Sequence, residues 1–401
     1  MTIGLTSRVV ASTCAICAAG LLALAPAAAA ARAGAEPGTP GAPGAPGAPG
    51  GPRTAAPHPS LLYRPGTQVR PRAGAPKVPK VSAKSWLVAD AGSGEVLAAH
   101  HAHRKLPPAS TLKTLFALTV LPVLPGGIRH TVREKELRGI GSGSSRVGVA
   151  EGRTYRVADL WRGVFLNSGN DAVRVLAELS GGWRSTAARM QAKARSLGAR
   201  DTRVLSPDGY DTPGQVSSAY DLAVFGRAGL RNADFARYCG TVEAGFPGGG
   251  GWSYKIRNTN RLLSGEDGVK PYPGLVGIKN GYTSKAGHTL VAAARRGGRT
   301  LVVTVMNPQA GGGFAVYEEA RELLDWGFDS DGRVDPVGSL DAPRVRSQPG
   351  PATLPAAVAG TPLAEGGADW SKTGAIAGAA GLGAGAMALV LRLKRRGAAR
   401  S

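Results

Sequence analysis

Pro107-Pro108-Ala109-Ser110-Thr111-Leu112-Lys113-Thr114-Leu115-Phe116-Ala117-Leu118 separates a strand-rich stretch of this chain from a helix-rich one. After the two prolines, the run Ser110–Leu121 has helical character, and Pro122 stops it because proline cannot continue a helix. Ahead of it, Ser85–Asp90 and Glu95–Ala99 flank Ala91-Gly92-Ser93-Gly94 and read as a β-hairpin. Behind it, Val157–Phe165, Asp171–Leu179, Ser185–Leu197 and Ser217–Leu230 each place apolar residues three or four apart, the helical period. After a Gly248–Gly251 loop, strands return at Val276–Tyr282, Thr289–Ala294 and Thr300–Met306, and a helix over Ala315–Trp326 closes the pattern. Strands at both ends with helices between predict an α+β domain. Its one antiparallel sheet is built from N- and C-terminal strands around a mostly helical middle.

That domain is expected over residues 81–332. The flanks are of another kind. Residues 32–80 and 333–370 are rich in Pro, Gly and Ala and read as linkers, which explains much of the 59 Gly and 29 Pro. The Gly-Ala-Pro triplets of Gly41–Pro49 are too few for a collagen helix and suit an extended spacer. Residues 1–31 join Arg8, the apolar run Val9–Leu24 and a string of alanines, the pattern of a secretory signal peptide cleaved near Ala29–Ala31. Neither Cys14 nor Cys17 sits at the end of that run, so a lipid anchor is excluded. Near the other end, uncharged Gly374–Leu391 predicts a transmembrane helix over residues 371–391, followed by a basic tail (392–401) with Arg392, Lys394, Arg395 and Arg396. Basic residues stay inside. The expectation is a single-pass protein of the cell membrane with an extracellular domain and a cytoplasmic C-terminus; a surface-lying or soluble helix is the alternative.

The formal net charge of +22 points to an anionic neighbourhood such as acidic lipid or a cell wall. Nucleic acid is excluded as a partner, since no zinc-finger spacing, basic helix or aromatic-basic stripe occurs. With the leader removed, Cys239 stands alone and no internal disulfide can form. It reads as a buried apolar thiol. His100, His101 and His103 cluster without a partner set that would hold a metal, so no metal or other cofactor is expected.

Three short patterns carry chemistry, and each has an ordinary reading when taken alone. In Ser110-Thr111-Leu112-Lys113 a lysine follows a first-turn serine by three residues, so both project from one helix face. A desolvated amine there can serve as a base; equally, Ser110 can be a helix cap. Ser168-Gly169-Asn170 falls in the turn between two helices, where it can present side chains to a cleft or merely cap the helix that follows. Lys279-Asn280-Gly281 lies inside a strand pattern. There a lysine lines a cleft or faces solvent, and a glycine lets a ligand approach the backbone.

In this order and with these flanks, the three resemble the S-x-x-K, S-x-N and K-[T/S]-G set of penicillin-binding proteins and serine β-lactamases. Pro108–Lys113, Asn167–Ala172, Asn258-Thr259-Asn260 and Gly277–Thr283 are similar to the low-molecular-mass D-alanyl-D-alanine carboxypeptidases over about residues 80–330. The resemblance implies a β-lactamase/transpeptidase-like fold and removal of the terminal D-alanine from peptidoglycan stem peptides through an acyl-enzyme, with β-lactams as inhibitors. It implies Ser110 as nucleophile, Lys113 as its base, Ser168 as proton relay, and Asn170 as the group that orients Lys113 and the substrate amide. Lys279, Asn280, Gly281, Tyr282 and Thr283 would hold the substrate, the backbone N–H groups of Ser110 and Tyr282 forming an oxyanion hole. The sequence departs from the family at Asn280, where a hydroxyl residue is usual, so altered affinity is expected. A second match, Lys372-Thr373-Gly374, abuts the apolar tail and cannot be the active strand. On the same fold, a β-lactamase, a transpeptidase or a degenerate wall-binding relative are the alternatives.

Overall fold

The structure, a computed structural model, describes residues 61–341. The N-terminal strands are β1 (Thr67–Pro71), β2 (Ser85–Asp90) and β3 (Glu95–His100). The β2–β3 turn is held by Asp90 Oδ1, which accepts the N–H groups of Gly92 and Ser93. A 3-10 turn over Ala109–Leu112 leads into α1 (Lys113–Val120). The middle holds the short strands β4 (Arg129–Thr131) and β5 (Thr154–Arg156). Five helices follow: α2 (Val157–Leu166), α3 (Asn170–Leu179), α4 (Trp183–Ser196), α5 (Ala219–Leu230) and α6 (Ala233–Cys239). Next come the hairpin β6 (Glu243–Gly249) and β7 (Trp252–Arg257), the single turn α7 (Arg261–Ser264), then β8 (Leu275–Thr283), β9 (Gly287–Arg296) and β10 (Arg299–Met306). Helix α8 (Ala315–Asp329) precedes two-residue strands β11 (Val334–Asp335) and β12 (Gly338–Ser339).

The main sheet runs β11-β1-β3-β2-β10-β9-β8, with β12 beside β3, and every pairing is antiparallel. N- and C-terminal strands do share one sheet, with β2 and β10 forming the seam. Both faces are covered, and the two-residue period of the strands shows it. On β10, Leu301, Val303 and Val305 point toward α8, where they meet Val316, Ala320, Leu323 and Leu324. Val302 and Met306 point the other way, into a core shared with α1, α2, α3 and α5. Each fully buried aliphatic side chain contributes about 1.5–3 kcal/mol, so the two cores clamp the sheet from both sides. Gly226 lets α5 lie close on it, since a side chain there would meet Val291 at 2.9 Å.

The folded region is wider than residues 81–332. Residues 61–80, expected as linker, carry a 3-10 turn and β1, and β1 pairs with β3 and β11. Arg72 binds Asp335, and the Trp326 indole donates to the Pro76 carbonyl. The proline-rich stretch is therefore a strand between β3 and the two-residue β11, and a strap on α8. Likewise residues 333–341 extend the sheet. The Gly248–Gly251 loop is the tip of the unforeseen β6–β7 hairpin. The expected signal peptide, the linker on either side up to residue 60 and from 342, the membrane helix, the tail and Lys372-Thr373-Gly374 lie outside the described residues. Among the described residues no helix is long and apolar enough to cross a membrane.

Candidate active site

The 3-10 turn before α1 presents Ser110. Ala109 sits at φ +49°, a left-handed conformation costing about 1–2 kcal/mol for a residue with a side chain, and Pro108 occupies the cap position without a side-chain bond. Ser110 is thus not a cap. Its Oγ accepts a 2.7 Å hydrogen bond from Lys113 Nζ, which also donates to the Asp208 carbonyl at 2.7 Å. Burial pushes the Lys113 amine down from 10.5 to about 8, partly opposed by the carboxylates of Asp208 and Asp171. At pH 7 roughly a tenth of such an amine is neutral, against less than about a thousandth of an ordinary lysine. The pair has the geometry and the protonation balance of a nucleophile and its base.

The α2–α3 turn supplies the second wall. Ser168 is held at φ +58°, and Gly169 occupies the cap of α3 without a side-chain bond, so neither Ser168 nor Asn170 caps the helix. Ser168 Oγ and Asn170 Oδ1 are buried with no hydrogen-bond partner. An unpaired buried polar atom costs about 1–3 kcal/mol, and both residues line the cleft that Ser110 faces. Strain and unpaired polar atoms gathered in one turn mark a ligand-binding position rather than a packing one. The expected Asn170–Lys113 contact is not made; the Asp208 carbonyl holds the amine instead. Asp171, the next residue, takes the N–H groups of Val147, Gly148 and Val149, fixing the loop that walls the cleft.

Strand β8 closes the third side. A kink at Gly277 and Ile278, φ +112° and +115°, shifts the register against β9. Lys279 is only 1% exposed, which excludes a solvent-facing role. Burial, and then the charge of Lys113, hold its amine well below the usual lysine range. It donates to its neighbour, to Asn280 O at 2.8 Å and Oδ1 at 3.2 Å. The Asn280 amide donates to Thr259 O and to the Tyr317 hydroxyl, and its Oδ1 accepts from Thr259 Oγ1. A side chain on Gly281 would stand 2.6 Å from the Ser110 nitrogen, so the strand backbone abuts the Ser110 amide. Tyr282 is exposed at the rim, and Thr283 Oγ1 donates to Asp211.

These groups surround a cleft of about 370 Å³ lined by Ser110, Ser168, Asn170, Asn280, Gly281 and Tyr282. A larger hollow of about 530 Å³ lies by Tyr63, His103, Asp201 and Val337, with His103 bonded to Asp201, but it holds no serine–lysine pair. Chemistry, not size, locates the site. Sequence reading missed Asp208, Asp211 and Gly209. Gly209, at φ +79°, packs on the Ala109 carbonyl with no room for a side chain. The stretch Ser206-Pro207-Asp208-Gly209 carries only the composition of a turn. Cys239 is buried away from the cleft, its thiol pushed up to about 12 by burial.

Residues 72–310 match the D-alanyl-D-alanine carboxypeptidase family. The chain is 40% identical to D-alanyl-D-alanine carboxypeptidase DacB2 of Mycobacterium tuberculosis over 271 residues, covering 67% of this chain and 89% of that one. It is 33% identical to DacD of Escherichia coli, spanning 63% of this chain and 64% of its relative. A crystal structure of D-alanyl-D-alanine carboxypeptidase from Mycobacterium tuberculosis superposes with a TM-score of 0.62 at 39% identity, covering 68% of this chain and all of the other. A Streptomyces DD-transpeptidase follows at 0.57 and 26%, covering 62% and 99%. With a buried lysine on its serine, a strained Ser-Gly-Asn turn and the glycine of β8 against the Ser110 amide, the chain belongs to the D-alanyl-D-alanine carboxypeptidase family.

Proposed function

We propose that the protein removes the terminal D-alanine of peptidoglycan stem peptides through an ester on Ser110. The neutral amine of Lys113 takes the Ser110 hydroxyl proton as Oγ attacks the carbonyl of the penultimate D-alanine. The N–H groups of Ser110 and Tyr282 receive the oxyanion, and Ser168 passes a proton to the departing D-alanine amine. Water, deprotonated by the same route, then hydrolyses the ester. Lys279, Asn280 and Thr283 face the substrate's terminal carboxylate, whose charge would favour the ammonium form of Lys279, and Asn170 takes the substrate amide. A β-lactam would acylate the same serine.

The observation that carries this reading is the 2.7 Å contact between Ser110 Oγ and a buried lysine whose pKa is lowered to about 8. Intact-mass measurement of the purified protein after exposure to penicillin should show one long-lived adduct, absent in Ser110→Ala. D-Alanine release from a D-Ala-D-Ala peptide should fall on the order of 10⁶-fold in that variant. Rapid loss of the adduct by hydrolysis would mean a β-lactamase instead, and release that survives the substitution would overturn the mechanism.

The leader-like residues 1–31 and the apolar segment 371–391 support a single-pass membrane protein with its catalytic domain outside. Ending the chain at residue 370 should move the activity from the membrane fraction to the medium; activity that stays with the membrane would count against the anchor.

A further inference from the structure

The β6–β7 hairpin carries at its tip an indole that remains 59% exposed. Trp252 is nonetheless held in place. A side chain on Gly248 would strike its ring at 2.6 Å, so the indole lies against that glycine's backbone, and the Tyr254 ring supports it with centroids 5.6 Å apart. Opposite, Arg153 donates to the Gly248 carbonyl, and its guanidinium fills the place a Gly249 side chain would need. Gly249, Gly250 and Gly251 all have positive φ, and their bare backbone floors the space. The result is a groove of about 450 Å³ with an aromatic side, a cationic side and glycine backbone between.

One loop joins this groove to the catalytic cleft. Ser144 and Ser145 line the cleft, and the Ser145 carbonyl accepts the N–H of Asn170 at 2.8 Å. Two residues on, the Val147 carbonyl accepts the Tyr254 hydroxyl, and Gly148 leaves that hydroxyl its room. Asp171 fastens the segment from inside, and it ends at Arg153. Groove and cleft therefore share a wall that is pinned along its length.

An exposed but immobilised indole beside a guanidinium and a glycine backbone suits a ring with one flat C–H face and a rim of hydroxyl and acylamino groups. A membrane-inserting tip would need neighbouring aliphatic side chains; around Trp252 stand Gly249–Gly251, Ser253, Arg153, Thr154, Tyr155 and Pro247, with no Leu, Ile, Val or Met among them. Resting on the peptidoglycan reading above, we propose that Trp252 and Arg153 form a subsite for an N-acetylated sugar of the glycan strand that carries the stem peptide.

Two measurements test it on the full chain. Titrating the N-acetylglucosaminyl–N-acetylmuramic acid disaccharide should change the tryptophan fluorescence saturably. Trp252→Ala should weaken that binding at least about tenfold, and Trp252→Tyr should keep most of it. In kinetics, wild type should favour a disaccharide-pentapeptide over the free pentapeptide by about tenfold in kcat/KM. Trp252→Ala should remove this preference while leaving free-peptide turnover within about twofold. An unchanged preference in Trp252→Ala, equal losses on both substrates, or Trp252-dependent binding to anionic vesicles without disaccharide binding would each overturn the subsite. If wild type cleaved neither substrate, the reaction reading would fall, and the disaccharide titration would still decide the subsite.

Discussion

The two sides of the cleft each contribute a buried lysine, but the lysines are supported differently. On the helix side, Lys113 is bonded to Ser110 Oγ and to the Asp208 carbonyl, and two carboxylates partly offset its burial. On the strand side, Lys279 donates only to its neighbour Asn280, whose amide is in turn taken by Thr259 and Tyr317. The helix side is arranged for proton transfer before substrate arrives. The strand side is a closed local network, and a carboxylate must compete with Asn280 for Lys279 to be recognised. On the proposed mechanism, the catalytic side is preorganised and the recognition side needs the ligand to complete it.

The largest test of that contrast joins the two sides. Gly281→Ala should push β8 off the Ser110 amide, and a displacement of this size costs on the order of 10²-fold in rate. Penicillin acylation followed by stopped-flow would measure it. A normal acylation rate would show that the strand does not set the nucleophile's position. Next comes pH. If Lys113 is the base, acylation should rise about tenfold per pH unit up to about 8 and then level, because only the neutral amine accepts the proton. The same lowered pKa makes the folded state bind fewer protons than the unfolded chain between about 8 and 10.5, so stability should rise with pH across that window. A profile flat from pH 6 to 9 would remove Lys113 from the role. The smallest effect is expected at Asn280. Asn280→Thr removes the amide from Thr259 and Tyr317, whose hydroxyl still donates to the Thr259 carbonyl, and leaves a shorter hydroxyl at the strand, so KM should fall about threefold with kcat changed less than twofold. A fall in kcat at constant KM would place Asn280 in the transition state rather than in binding.

The part of this site that was legible in sequence is the part set by local spacing. Ser110 and Lys113 lie one helical turn apart, and no long-range knowledge is needed to see them meet. Asp208 was not legible because its hydrogen bond to Lys113 comes from a backbone carbonyl, which any residue could offer, and both that bond and the pull of its carboxylate reach across 95 positions. Asn170 shows the opposite hazard: its spacing from Ser168 was right for the cleft, yet the contact expected of it with Lys113 is made by another group. In the fold, the helices and central strands followed their periodicity. Strand β1 escaped notice because it is short, half-exposed and ends in Pro71, so its identity comes from its partners β3 and β11. The β6–β7 hairpin was hidden by glycines that interrupt the alternation of its side chains.

The seam between β2 and β10 also fixes when the molecule can be completed. Leu301 pairs with Asp90 and Met306 with Ser85, partners more than 200 residues apart. At about 5–20 residues per second, a ribosome takes roughly 10–40 s to make the chain between them. For that interval the β2–β3 hairpin exists without the strand that covers its edge, and such long-range pairing is slow even afterwards. A chain kept unfolded until its last strand has been synthesised would never expose that bare edge, so the topology favours assembly after synthesis rather than during it.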